Sequence, residues 1–172
     1  MNLQECFRKR LLRNDRPDPP RARRSLQVSK AKLEHARRAY EHELYDASLV
    51  LAYTSMFHAA RALLFKDGIV EKSHVCLVEY LRERYARRGT LSEGLVNTLD
   101  RLRVDRHEAI YGLEESVDEE QAQNALEKAE EFVQVAGGIA SRMESGSVRA
   151  RARGTKLGKD AFPDVGKATF GD

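Results

Sequence analysis

Ala47-Ser-Leu-Val-Leu-Ala-Tyr-Thr-Ser-Met-Phe-His-Ala-Ala-Arg-Ala-Leu-Leu-Phe65 is apolar nearly all round when wound as a helix. A helix with no solvent face must be covered on every side, so this segment predicts the central member of a helical bundle. Asp46 stands at a capping position before it, and Lys66-Asp67-Gly68 ends it. Upstream, Leu26, Leu33, Ala36 and Tyr40 share one face of a first long helix, from about Ser25 to Glu43. Downstream, Ser73 can cap a helix running to about Arg88 and closed by Gly89, and Ser92 can cap another ending near Gly112. Asp118 and Gln121 have the spacing of a capping box. They open a last helix to about Glu144, with Ala122, Ala125, Leu126, Ala129, Phe132, Val133, Ala136 and Ala140 inward. Gly137-Gly138 should loosen its final turns.

The prolines of Asp15–Pro20 predict a loop, separating a short leading helix within residues 2–13 from the rest. No internal repeat and no alternating strand pattern accompanies these segments. The expectation is all-α: an up-and-down bundle of about five helices spanning residues 25–145. A basic N-terminal arm, partly loop, occupies residues 1–24, and a basic, disordered tail occupies residues 146–172.

Charge is distributed unevenly along the chain. Net charge is +3 overall, but residues 1–24 carry +5, residues 146–172 carry +3, and the bundle between them carries −5. Basic ends can hold nucleic acid weakly through phosphate neutralisation, or simply be solvated tails. Cys6 and Cys76 have no metal-ligand spacing and are too few for a disulfide scaffold, which favours a reducing, cytoplasmic setting. No apolar segment follows the basic N-terminus as in a secretory signal, and the apolar run Ala47–Tyr53 is too short to span a bilayer. Gly-rich phosphate loops, nucleophile elbows and His/Cys zinc sets are missing. Neither a metal nor a cofactor is expected.

The residue most at odds with its surroundings is Arg106. Leu95, Leu99, Leu102, Arg106, Ala109 and Leu113 follow the spacing of one buried helix face, with the arginine near its middle. A guanidinium stays charged at ordinary pH and needs compensation when buried, from a carboxylate, carbonyls or an anionic ligand such as phosphate. On the same helix Arg103, His107 and Tyr111 form an i, i+4, i+8 ridge beside it. One reading is a phosphate-binding or phosphodiester-cleaving cluster, with Arg106 stabilising charge and His107 or Tyr111 moving protons. The other is a structural ion pair of Arg106 with Asp100 or Glu108 beside a solvated His107. Elsewhere, His58 reads as a core histidine satisfied by one hydrogen bond, and His35 with His42 as weak metal candidates. His74 follows a capping position and suggests no role.

Three segments together resemble one family. Tyr53-Thr-Ser-Met-Phe-His-Ala-Ala-Arg-Ala-Leu-Leu-Phe65 resembles the second helix of HEPN domains, the higher eukaryotes and prokaryotes nucleotide-binding domains. Lys72–Leu81 is similar to the next helix, and Arg106-His-Glu-Ala-Ile-Tyr111 to the family's signature of an Arg, a polar residue, and a later His. The resemblance spans roughly residues 25–143. It implies a helical bundle, usually a homodimer, with the Arg and polar residues of two subunits facing a shared cleft. Many members are metal-independent RNases acting as toxins, restrained by a small nucleotidyltransferase-like antitoxin. In that chemistry a ribose 2′-OH attacks the adjacent phosphate. Carried over, the Arg is Arg106, the polar follower is His107, and Tyr111 occupies the usual His position. A phenol of ordinary pKa about 10 is a poor base near neutrality. His107 lies about 100° and Tyr111 about 140° from Arg106 around the helix, so a closed site needs helix distortion or the second subunit.

The leading expectation is therefore a protein that binds nucleotide or RNA phosphate through Arg103 and Arg106, as a dimer, within a toxin–antitoxin pair. The alternatives are a working RNase using Arg106, His107 and Tyr111, and a non-catalytic protein-interaction module. No association with membranes is expected.

Overall fold

The computed structural model describes residues 1–112 and 117–153, with side chains of the last helix described as far as Ser141. The order is α1 (Leu3–Arg8), β1 (Leu12–Asn14), α2 (Pro19–Glu41), α3 (Tyr45–Lys66), β2 (Ile69–Glu71), α4 (His74–Leu81), α5 (Glu93–Tyr111) and α6 (Glu119–Arg153). It is an all-α bundle.

The apolar segment is its axis. α3 packs against α2, α4, α5 and α6, and Ala52, Met56, Ala59, Ala60, Leu63 and Leu64 along it are fully buried. Covering α3 closely requires small side chains on its neighbour. α2 buries Ala22, Ser25, Ser29, Leu33, Ala36 and Ala39, while the expected inward residues Leu26 and Tyr40 are half-buried. The buried hydroxyls are satisfied across the interface. Ser25 donates to the His58 carbonyl at 2.7 Å, Ser55 to the Ser29 carbonyl at 2.9 Å, and Ser48 to the Ala36 carbonyl at 3.0 Å. α6 presents the face its spacing predicts, with Ala122, Ala125, Ala129, Phe132, Val133, Ala136 and Ala140 buried and Leu126 half-buried.

Boundaries follow local chemistry. α2 begins at Pro19 inside the predicted loop, because proline is tolerated in a first turn and Asp18 caps it by accepting from the Arg21 amide at 2.9 Å. Asp118 and Gln121 form the reciprocal cap that opens α6. Asp46 caps nothing; its carboxylate accepts from the Val117 amide at 2.9 Å and ties α3 to the start of α6. Ser92 precedes α5 without a side-chain cap, whereas Ser73 caps α4. After Leu81 the helix widens into one π turn, Arg82–Ala86, before Gly89 reverses the chain at φ +69°. α6 passes through Gly137-Gly138 without a break and reaches Arg153, nine residues beyond the predicted end. So residues 146–153 of the predicted tail are helical; residues 154–172, and Leu113 of the apolar stripe, lie outside the described residues.

The N-terminal segment is built into the body. Cys6 and Leu12 are buried in the main core, and β1 pairs antiparallel with β2, a two-stranded ribbon that no sequence alternation announces. Gly68, at φ +72°, lets the Asp15 carbonyl approach to where a Cβ would stand 2.5 Å away. Cys6 and Cys76 are joined by a disulfide that fastens α1 to α4. Two cysteines too few for a scaffold thus still make one staple, since the two helices that carry them are neighbours.

A candidate anion site around Arg106

α5 carries both halves of the expected cluster, and the fold sends them in different directions. Leu95, Leu99 and Leu102 are buried against the bundle. Arg106, one turn further along that face, lays its guanidinium over the Tyr53 ring at 4.8 Å from the centroid. Its Nε is buried without a hydrogen-bond partner. Among the described residues no carboxylate comes within ion-pair distance of it; Asp100 pairs instead with Arg103, at 2.9 Å. Neither Asp100 nor Glu108 therefore makes the structural pair that would neutralise Arg106.

His107 and Tyr111 face outward. Their side chains are largely exposed, at 65% for His107 and 69% for the whole of Tyr111. Their rings lie 5.0 Å apart. Of the expected ridge, His107 and Tyr111 lie on the solvent face of α5, whereas Arg103 is half-buried and paired with Asp100, and Arg106 turns toward α3.

What does approach Arg106 is an aromatic group that includes His74. The Tyr53 hydroxyl lies 2.6 Å from His74 Nδ1, and Phe57, one turn along α3 from Tyr53, has its ring centroid 4.1 Å from that of His74. Burial, reinforced by Arg106, Arg103 and Arg61, lowers the His74 pKa to about 4, so the imidazole is neutral. Burial pushes the Tyr53 phenol up to about 12 against the opposing pull of Arg106 and Arg103. Neither ring carries charge at neutral pH, which leaves the guanidinium of Arg106 as the uncompensated charge of the group. Arg61 closes the far side in an ion pair with Glu71, its Nε 2.7 Å from Oε1 with the N–H directed elsewhere.

Concavity alone would have misplaced the site. A cleft of about 470 Å³ between α5 and α6 is lined by Asp105, Glu108, Asp118 and Glu120 against one cation, Arg101. Four carboxylates repel a phosphate, so the Arg106 group and not this cleft is suited to an anion. Among the described residues no three His, Cys, Asp or Glu side chains are placed to hold a metal ion. His35 and His42 are both exposed on α2.

The model of the HEPN domain matches residues 22–139, which carry every member of the Arg106 group. The chain belongs to the HEPN family. A protein named UPF0332 protein from Archaeoglobus fulgidus is 34% identical over 113 residues, covering 64% of this chain and 90% of its own. One from Methanocaldococcus jannaschii, named "Putative toxin MJ0605", is 26% identical over 108 residues, 63% of this chain and 80% of its own.

In this HEPN domain, reading the sequence missed the roles of His74, Tyr53 and Phe57. His74 follows Ser73 at the start of α4, where a polar residue is unremarkable, and only the packing of α4 beside α3 brings it to Tyr53. The usable signal was the i, i+4 spacing of Tyr53 and Phe57 on the one helix expected to be fully buried. His58, expected as a core histidine satisfied by one hydrogen bond, is half-buried. The hydrogen bond at that residue goes to its backbone carbonyl.

Proposed function

We propose that this HEPN protein binds the phosphate of a nucleotide or RNA at Arg106, beside Arg103, whose charge is shared with Asp100. The observation that carries this reading is the half-buried guanidinium whose Nε has no partner and which no described carboxylate neutralises. An anion that accepts from the unpartnered Nε–H recovers a hydrogen bond the free protein lacks. The neutral Tyr53–His74 pair adds hydrogen-bonding capacity without adding a competing negative charge.

An exposed face of α5 supports a second subunit. Val104 and Ile110 are about half exposed and Tyr111 more so, and the His107 ring lies 5.0 Å from that of Tyr111 among them. A homodimer through this face would bring His107 and Tyr111 of each protomer toward the Arg106 group of the other. In that arrangement an RNase chemistry using Arg106, His107 and Tyr111 becomes feasible. A toxin-like role, restrained by a small nucleotidyltransferase-like antitoxin, fits the family and the word toxin in one relative's name.

The test is fluorescence anisotropy with a short labelled single-stranded RNA in EDTA, comparing wild type with Arg106→Ala and following the integrity of the same RNA on a gel. Binding by wild type and its loss in the variant support the phosphate site. Cleavage that also disappears in the variant selects the RNase reading, and equal binding by both proteins refutes the site.

A further inference from the structure

Three sulfur atoms meet where α1 docks on α4. Cys6 and Cys76, both fully buried, are joined there, and the Met1 thioether comes to 3.6 Å from Cys76 Sγ. Two capped helix starts hold them. Asn2 and Glu5 form a reciprocal capping box that fixes the chain between Met1 and α1. Ser73 caps α4 by accepting from the amide of Cys76 itself. Leu3 and Phe7 of α1 pack against the main core, to which the fully buried Leu77 and Leu81 of α4 also belong.

The disulfide accounts for two of these sulfurs and gives the third no role. A thioether beside two cysteines acquires one once the disulfide is reduced. A dithiol reductant supplies two electrons and two protons: the S–S bond breaks, two S–H bonds form, and the reductant becomes a disulfide. The Cα atoms of Cys6 and Cys76 stand 5.7 Å apart, so the two thiols remain neighbours. Metal–sulfur bonds of about 2.3 Å place two ligands of one three-coordinate ion roughly 4 Å apart. The separation of Met1 and Cys76 already approaches that value. The donor types then select the ion. Two thiolates and a thioether are soft ligands that suit Cu(I), whereas Mg(II), Ca(II) and Mn(II) need oxygen. A structural zinc site takes four ligands, and among the described residues no His, Asp or Glu joins the two cysteines as a metal-binding group. Met1 is 56% exposed, so its sulfur connects the buried pair with solvent and offers an incoming ion its first ligand.

We propose that the reduced protein binds one Cu(I) ion at Cys6, Cys76 and Met1, in a trigonal site of three sulfurs. The ion replaces the two thiol protons, which leave to solvent, and its own oxidation state does not change. The apolar core around the cysteines keeps water from the ion. Disulfide and metal are alternatives at the same two atoms, so oxidation of the pair closes the site. None of the Arg106 group takes part, and the proposal stands apart from the anion reading.

The experiment reduces the full chain, removes the reductant without air, and lets the protein compete for Cu(I) held by the chelator bathocuproine disulfonate. Reduced wild type is expected to take one equivalent, and disulfide-bonded wild type none. Loss of a ligand should cost at least what loss of an outer-shell partner does: roughly 100-fold in affinity for Cys6→Ser or Cys76→Ser, and about 10-fold for Met1→Leu released from an N-terminal fusion. No uptake by reduced wild type, or equal affinity in either serine variant, overturns the site. Equal affinity in Met1→Leu overturns the three-sulfur arrangement, and Zn(II) held as tightly as Cu(I) overturns the choice of ion. A measurement on wild type alone guards against a serine variant that fails to fold. Copper K-edge X-ray absorption of the loaded protein should show only sulfur neighbours, at about 2.3 Å; nitrogen or oxygen neighbours would overturn the assignment.

Discussion

Arg106 disfavours the protonated form of His74, and each therefore reports on the other. Burial and then the three guanidinium groups hold the His74 pKa near 4, below the value of about 6.5 expected in an unfolded chain. Between those values the unfolded chain binds more protons than the folded one. His74 thus favours folding fully above about pH 6.5, and that contribution is lost as pH falls toward 4. His58, lowered first by its own burial, acts in the same direction, so a comparison is needed to isolate His74. Melting temperatures measured across this range should fall less steeply in His74→Gln than in wild type; parallel curves would contradict the assignment. Removing Arg106 takes away one source of that effect, so the His74 imidazole should titrate higher in Arg106→Ala, as NMR of its ring protons would record. Arg106 itself was legible in the sequence, because a cation within an apolar stripe breaks the pattern on one element. His74, Tyr53 and Phe57 were not, since their association depends on how α4 lies beside α3.

At the scale of elements, the bundle depends on a central helix enclosed by its neighbours. Leu63 is fully buried in the middle of α3, and Leu63→Ala should cost about 2–5 kcal/mol in denaturant unfolding. A loss below about 1 kcal/mol would show that α3 is less tightly enclosed than described. The helix was readable because all-round apolarity has one outcome in a folded bundle. Its partner was less so. A stripe of Ala and Ser on α2 carries little hydrophobic signal, yet it permits close approach while α3 carbonyls and hydroxyls satisfy the serines. The β1–β2 ribbon left no trace in composition, since three residues in each strand are too short for alternation. The end of α6 was missed because a helix continues where nothing in the backbone stops it.

For the molecule as a whole, one covalent link and one exposed face matter most. The Cys6–Cys76 disulfide closes a loop with a sequence separation of 70, which restricts the unfolded chain by about 4 kcal/mol on the loop-entropy account. Reduction, or Cys6→Ser, should lower the melting temperature and expose α1 to proteolysis; an unchanged melt would show that the link adds nothing in solution. The α5 face predicts self-association. Light scattering should give twice the monomer mass at micromolar concentration, and Ile110→Glu should return the monomer, because both copies would then place a charge in the same apolar contact. A monomeric wild type would remove the shared cleft from the account.

The central claim, that Arg106 holds an anion and not a structural partner, is tested most directly by thermal melting of wild type and Arg106→Ala, each with and without single-stranded RNA. A ligand that binds the folded state raises the melting temperature. The predicted result is a ligand-free variant that melts close to wild type, because no described carboxylate is stranded, and an RNA-induced rise in wild type that the variant lacks. A ligand-free variant that melts far lower, with the RNA-induced rise intact, would contradict the claim and make Arg106 part of the scaffold.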